Sequence, residues 1–253
     1  MKSECHKRVW LGVIGFILLT AVGGSLLWRL RLEDSVTGRS FRTVVIDPGH
    51  GGQDSGAEGF GLDEKNVALD IALRLADLLR AQGIEVVLTR DSDRFVSLGN
   101  RTRIANRAKS SIFVSIHFNH TRVRSADGIE TYRAQIKSPE GPGGLADFSR
   151  AIRSVAKIDL REDALAQAVQ TELISATATK DRGVKRRNFY VIRQTTSPAL
   201  LIEAGFLSNP TTVRRLKMEG YRETIAAAIN RGILKYRAGW EPTPQLLASG
   251  PSE

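Results

Sequence analysis

From Phe41 onward the chain alternates short β-branched runs with amphipathic stretches, and this alternation constrains the fold more than any other feature. Six runs read as strands: Thr43–Asp47, Ile84–Arg90, Ser111–His117, Gly128–Ala134, Phe189–Arg193 and Ala199–Ala204. Glu64–Gln82 reads as the clearest helix, because Val67, Ile71, Leu75, Leu78 and Leu79 fall on one face and Gly83 supplies a stop. Further helices are expected over Leu98–Lys109, Asp163–Ala176, Thr211–Met218 and Tyr221–Tyr236, with a Gly/Pro-rich break at Ser138–Gly144. Strands alternating with helices predict an α/β domain whose sheet is covered on both faces. In such sheets functional groups collect at the carboxyl ends of the strands.

One strand end stands out. In VVIDPGHGGQDSGAEG, Val44 to Gly59, a buried run leads into a turn with five glycines and one of the chain's four histidines. The turn fits neither phosphate-binding fingerprint. A GxGxxG pattern from Gly49 would need glycine where Asp54 stands, and no G-K-[ST] is present. Asp54 and Glu58 would also repel a phosphate. The glycines are expected to let the backbone fold tightly about His50 and leave space for a substrate chain.

Other strand ends carry matching chemistry. His117 closes the third strand, Glu203 closes the sixth, and Glu64 opens the helix after the glycine turn. All four residues are expected on one rim of the sheet. Two histidines and a carboxylate form a zinc ligand set that leaves a position open for water, and a further carboxylate can act as general base. Plainer roles exist for each: a capped surface histidine, a helix N-terminal acid for Glu64, or an ion pair of Glu203 with Arg193. Their co-occurrence on one rim favours the metal site. His120 is left out, since it would point to the other face of a continuing strand.

The N-terminal residues read as a separate region. Residues 1–8 are basic, and Val9–Trp28 is an uncharged apolar run long enough to cross a bilayer, with Trp10 and Trp28 at its ends. An uncleaved anchor is favoured over a cleaved signal peptide with Ala21-Val22-Gly23 as its site, because apolar residues continue to Trp28. Either reading sends the chain into export and an extracytoplasmic location. Residues 29–40 then form a linker, 41–238 the catalytic domain and 239–253 a Pro-rich tail expected to be disordered. The single cysteine, Cys5, rules out a disulfide within the chain and a Cys-rich zinc finger. Net charge is +10, which suits an anionic polymer or membrane surface. No basic helix or aromatic-interleaved stripe is present, so nucleic acid is not the expected partner.

The segments VVIDPGHGGQDSGAEGFGLDEKNVAL, RFVSLGNRTRIAN, FVSIHFN, GIETY, DRGVKRRNFYVIR, PALLIEAGFLSN and IAAAINRGILKY occur in that order from about Thr43 to Tyr236. Together they resemble the zinc-dependent N-acetylmuramoyl-L-alanine amidases of the amidase 3 type. The resemblance implies a twisted, mostly parallel six-stranded sheet, with His50, Glu64 and His117 as zinc ligands and Glu203 as the catalytic glutamate. It implies cleavage of the amide between N-acetylmuramic acid and L-alanine in peptidoglycan. Asp47 is a candidate partner orienting a histidine. Phe118 and His120 depart from the small residues commoner in the family and are expected to narrow the cleft. Some division members carry a helical insertion that blocks the zinc until an activator binds; here only Gln135–Arg161 offers room for one. A zinc peptidase acting within the stem peptide, or a non-catalytic wall-binding module, would be the alternatives.

Overall fold

The computed structural model describes residues 41–135 and 145–239, with side chains from 160 onward in the second stretch. The segment at 9–28, the linker, the break at Ser138–Gly144 and the tail lie outside the described residues. So do the side chains at 145–159, on which the self-inhibiting insertion would depend. Among the described residues no helix is long and apolar enough to cross a membrane. Phe41–Gly239 forms one compact unit.

In chain order the elements are β1 (Thr43–Pro48), the hairpin β2 (Glu58–Gly59) and β3 (Leu62–Asp63), α1 (Glu64–Arg80), β4 (Glu85–Leu88) and α2 (Leu98–Arg107). Then come β5 (Ser111–Asn119), β6 (Ile129–Arg133), α3 (Leu145–Thr177), β7 (Asp181–Arg186) and α4 (Tyr190–Gln194). The unit closes with β8 (Ala199–Phe206), α5 (Pro210–Lys217) and α6 (Glu219–Ala238). Six strands form one sheet in the order β4-β1-β5-β8-β6-β7. Every pairing is parallel except β6 with β8, so the sheet is mostly parallel, as expected.

The central strands are continuous apolar runs because helices cover both faces. All six residues of β1 are buried, as is every residue of β8 except Glu203. On one face Val45, Phe113, Tyr132, Ala199 and Leu201 pack against Ala105 of α2 and against Val191 and Ile192 of α4. Helix α1 buries Val67, Ile71, Leu75 and Leu79 along one stripe. Its chain reverses through Gly83 at φ +72°, a backbone state that favours glycine. Helices α3 and α6 pack closely where Gly232 lies; a Cβ there would sit 2.6 Å from Val169 Cα.

Two sequence expectations are corrected. Phe189–Arg193 is not a strand; α4 occupies Tyr190–Gln194. A short apolar run does not distinguish a strand from a buried helical turn. Here the neighbours Val191 and Ile192 are both buried, which a one-sided strand would not allow. The sixth strand is instead β7, whose sequence DRGVKR has no apolar alternation because it is an edge strand paired only with β6. The small hairpin β2–β3 was also not anticipated; it turns through Phe60 and Gly61, both at positive φ.

Candidate metal centre

β1 and β5 are parallel neighbours in register, with Asp47 beside Ser115 and Pro48 beside Ile116. The chain after β1 therefore returns over the end of β5, and His50 meets His117. Their ring centroids lie 5.0 Å apart with the planes at 79°. Glu64, at the first position of α1, reaches between them. Its Oε1 lies 2.8 Å from His117 Nδ1 and 3.2 Å from His50 Nε2. Backbone amides hold the carboxylate: Phe118 N donates to Oε1 at 3.0 Å and Ala57 N to Oε2 at 2.8 Å. One donor atom from each of His50, Glu64 and His117 lies within 4.8 Å of the others.

Electrostatics fit a cation at this point. Burial alone would raise the Glu64 pKa, but hydrogen bonds and charge from the two histidines outweigh it and hold the carboxyl far below the usual range. Burial works against charge on His50, yet Glu64 and Asp54 more than compensate and raise it. A buried carboxylate facing two ring nitrogens is a donor set suited to zinc, and the fit requires no rearrangement of residue types.

Two glycines of the turn, Gly49 and Gly56, let the backbone pack tightly against His50, Glu64 and His117, as the sequence reading expects of the turn about His50. A Cβ on Gly49 would lie 2.4 Å from His117 Cε1, and one on Gly56 would lie 2.5 Å from His50 Cδ2 and 2.7 Å from Glu64 Oε2. His50 itself adopts φ +58°, uncommon for a side chain of its size.

Buried arginines hold that turn in place. Arg101 of α2 donates to Asp47 Oδ1 at 2.7 Å, Pro48 O at 2.6 Å, His50 O at 2.7 Å and Val96 O at 2.9 Å. Arg90 donates to Pro48 O, Gly49 O and Lys65 O. Burial and the charge of Arg101 push Arg90 down to about 10. Asp47 does not orient a histidine: its oxygens accept from Thr89, Arg101 and Ser115. The partner of His50 is Asp54, whose Oδ2 lies 2.9 Å from Nδ1. The four-residue spacing within the glycine turn was the available signal for Asp54; nothing in the sequence marked Arg90.

Glu203 stands beside His117 in the β5–β8 register and opposite Glu130 across β6. Strands in such a ladder are about 4.8 Å apart, so Glu203 flanks the ligand cluster. Its Oε2 is buried without a hydrogen-bond partner, and no ion pair joins it to Arg193 among the described contacts. Burial, with the charges of Glu64 and Glu130, raises its pKa well above the carboxylate range. Glu130 is the opposite case. Burial would raise its pKa, but Lys185, Tyr132 and Arg182 hydrogen-bond to it and lower it.

The histidines open onto a cleft of about 420 Å³ walled by Phe95, Val96 and Leu98 on one side and Phe189, Tyr190 and Val191 on the other. Phe118 and His120 do not line it. The Phe118 side chain is buried and His120 is exposed elsewhere, so neither narrows the cleft.

Fold and site together define an α/β domain with a His–Glu–His cluster able to hold a metal at the carboxyl ends of its sheet. Comparison with known proteins makes this specific. Residues 44–235 match the family model for N-acetylmuramoyl-L-alanine amidase. The chain is 38% identical to the amidase LytC of Bacillus subtilis over 81% of its own length, and spans 37% of that longer protein. The amidase AmiC2 of Nostoc punctiforme superposes with TM-score 0.64 at 38% identity, covering 78% of this chain and 98% of that one. The CwlD amidase of Clostridioides difficile, solved in complex with the GerS lipoprotein, gives 0.67 at 30% identity, covering 78% and 99%. The chain belongs to the N-acetylmuramoyl-L-alanine amidase family, and its described domain is a peptidoglycan amidase domain.

Proposed function

We propose that the protein is a zinc amidase that separates stem peptides from glycan strands by hydrolysing the bond between N-acetylmuramic acid and L-alanine. The observation carrying this reading is the convergence of His50, Glu64 and His117 within 4.8 Å beside a carboxylate with a buried, unpartnered oxygen. His50, Glu64 and His117 would hold the zinc. When bound, the ion supplies Lewis acidity that polarises a carbonyl and makes water a stronger nucleophile at neutral pH. Asp54 fixes the His50 ring through Nδ1, and the backbone amides of Ala57 and Phe118 fix the Glu64 carboxylate. Glu203 takes the proton of the attacking water and returns it to the leaving amine of L-alanine. Its Oε2 has no hydrogen-bond partner in the protein and so is open to accept a proton.

The wider plan of the chain is proposed on composition. Residues 9–28 anchor it in the membrane, 29–40 form a linker, 41–238 work in the cell envelope and 239–253 form a tail. A protein activator is proposed on the support of CwlD, which was solved with a lipoprotein partner.

The test is release of stem peptides from purified sacculi, with and without chelator. Mass analysis should find glycan with intact lactyl groups and stems with a new L-alanine amino end. Glu203→Ala should retain zinc and lose about 10²–10⁴-fold in rate, whereas His50→Ala should lose the zinc itself. Full activity in Glu203→Ala ends the assignment of that residue.

A further inference from the structure

Eight large hydrophobic side chains are exposed among the described residues, and four of them surround the cleft: Phe95 at 51%, Leu98 at 54%, Phe189 at 38% and Tyr190 at 41%. Exposed apolar side chains scattered singly need no explanation, but a group around one cleft marks a binding surface. The group is also held in position. Phe189 meets Tyr132 edge-on at 5.0 Å, and the Tyr132 hydroxyl donates to Glu130 at 2.7 Å. Phe95 follows Arg94, whose guanidinium donates to Thr89 O at 3.0 Å.

The charges in the cleft restrict what can lie there. Beyond the histidines the charged lining residues are Asp47, Asp54 and Arg101. Arg101 directs its four hydrogen bonds at Asp47 and three backbone carbonyls, away from any ligand. Asp54 is turned to His50. Apart from the metal site itself, the described lining residues offer no uncommitted cation to a carboxylate. A stem peptide carries carboxylates; the saccharide on the other side of the scissile amide carries none once its lactyl group is in amide linkage. A pyranose ring presents a C–H-rich face and an N-acetyl methyl, which match aromatic walls.

Resting on the amidase reading above, we propose that the cleft between Phe95–Leu98 and Phe189–Val191 is the saccharide subsite, in which Phe95 and Tyr190 stack on the N-acetylmuramic acid ring. The substrate then crosses the metal centre with its sugar over α2 and α4. Its charged stem leaves the cleft. Glycan recognition comes from apolar stacking, and the basic surface acts on the polymer at longer range.

Phe95→Ala and Tyr190→Ala test this in the full-length zinc-loaded protein, since both side chains are near half exposed and their loss leaves the core intact. Two soluble substrates are compared, N-acetylmuramoyl-tripeptide and the D-lactoyl-tripeptide that lacks the sugar. The wild type should favour the saccharide substrate in kcat/KM. Each variant should lower that preference by about tenfold, through KM for the saccharide substrate, as expected for removing one apolar side chain from a contact. An unchanged preference overturns the subsite, as does an equal loss on both substrates, which would make the aromatics peptide contacts. A wild type without preference overturns it too. A wild type that cleaves neither substrate, nor sacculi, would instead overturn the amidase reading.

Discussion

Gly49 precedes His50 and lies against the ring of His117, two of the three residues proposed to hold the metal. A methyl group at this position would lie 2.4 to 2.7 Å from three atoms of the His117 ring. Gly49→Ala should therefore displace His117 and weaken zinc binding by about 10–100-fold, the usual cost of disturbing a ligand's support. Competition with a chromogenic chelator measures it, with far-UV circular dichroism unchanged. Glu203 offers a prediction on stability. Its folded pKa lies above the unfolded value of 4.5, so the folded state holds the proton more tightly. Stability from this group is then greatest below pH 4.5 and declines as pH rises through the folded pKa. Glu203→Gln removes that decline. In the metal-free protein it should raise Tm at pH 7, by about 2–4 °C for each kcal/mol gained, with no gain at pH 4. A scan of Tm against pH for both proteins decides the matter. At this scale the sequence revealed residue types well: His50, Glu64 and His117 converge, and Glu203 stands beside His117 in the strand register. It misassigned Asp47 and overlooked Asp54, because a side chain's partner depends on direction and not on proximity in the chain.

The end of β1 is shaped by elements far from it in sequence. Arg101 on α2 and Arg90 after β4 grip the carbonyls of Pro48, Gly49 and His50, and so hold His50 at its positive φ. Arg101 also balances Asp47, which is fully buried. Arg101→Met removes the positive partner and leaves an uncompensated carboxylate, a change worth about 3–5 kcal/mol in comparable buried pairs. Urea denaturation of the metal-free protein should show that loss, and Arg101→Lys should recover only part of it because a single ammonium cannot reproduce the fork. Strong periodicity made α1 legible. The sequence reads α4 as a strand because an apolar run of five residues lacks a period long enough to decide, and it leaves β7 unassigned because an edge strand has no need of apolar alternation.

The whole domain depends on sheet order. Residues 47–50, 117 and 203 become neighbours only because β1, β5 and β8 lie side by side, although β8 follows β5 by some eighty residues in the chain. Since Phe41–Gly239 is one compact unit, a fragment of those residues should fold cooperatively and match the full chain in zinc binding and in muropeptide hydrolysis. Calorimetry and the stem-release assay check this; a fragment that fails to fold would place part of the core outside residues 41–239. By itself the sequence determined the α/β class, the long helix and the chemical types at the strand ends, since these follow from local periodicity and from the few side chains able to bind a metal. Only the tertiary structure decided that Asp54 supports His50, that Gly49 lies against the His117 ring, and that aromatic residues from two distant segments wall one cleft. Those facts depend on contacts between residues remote in the chain, which strand order and packing create and which no local pattern encodes.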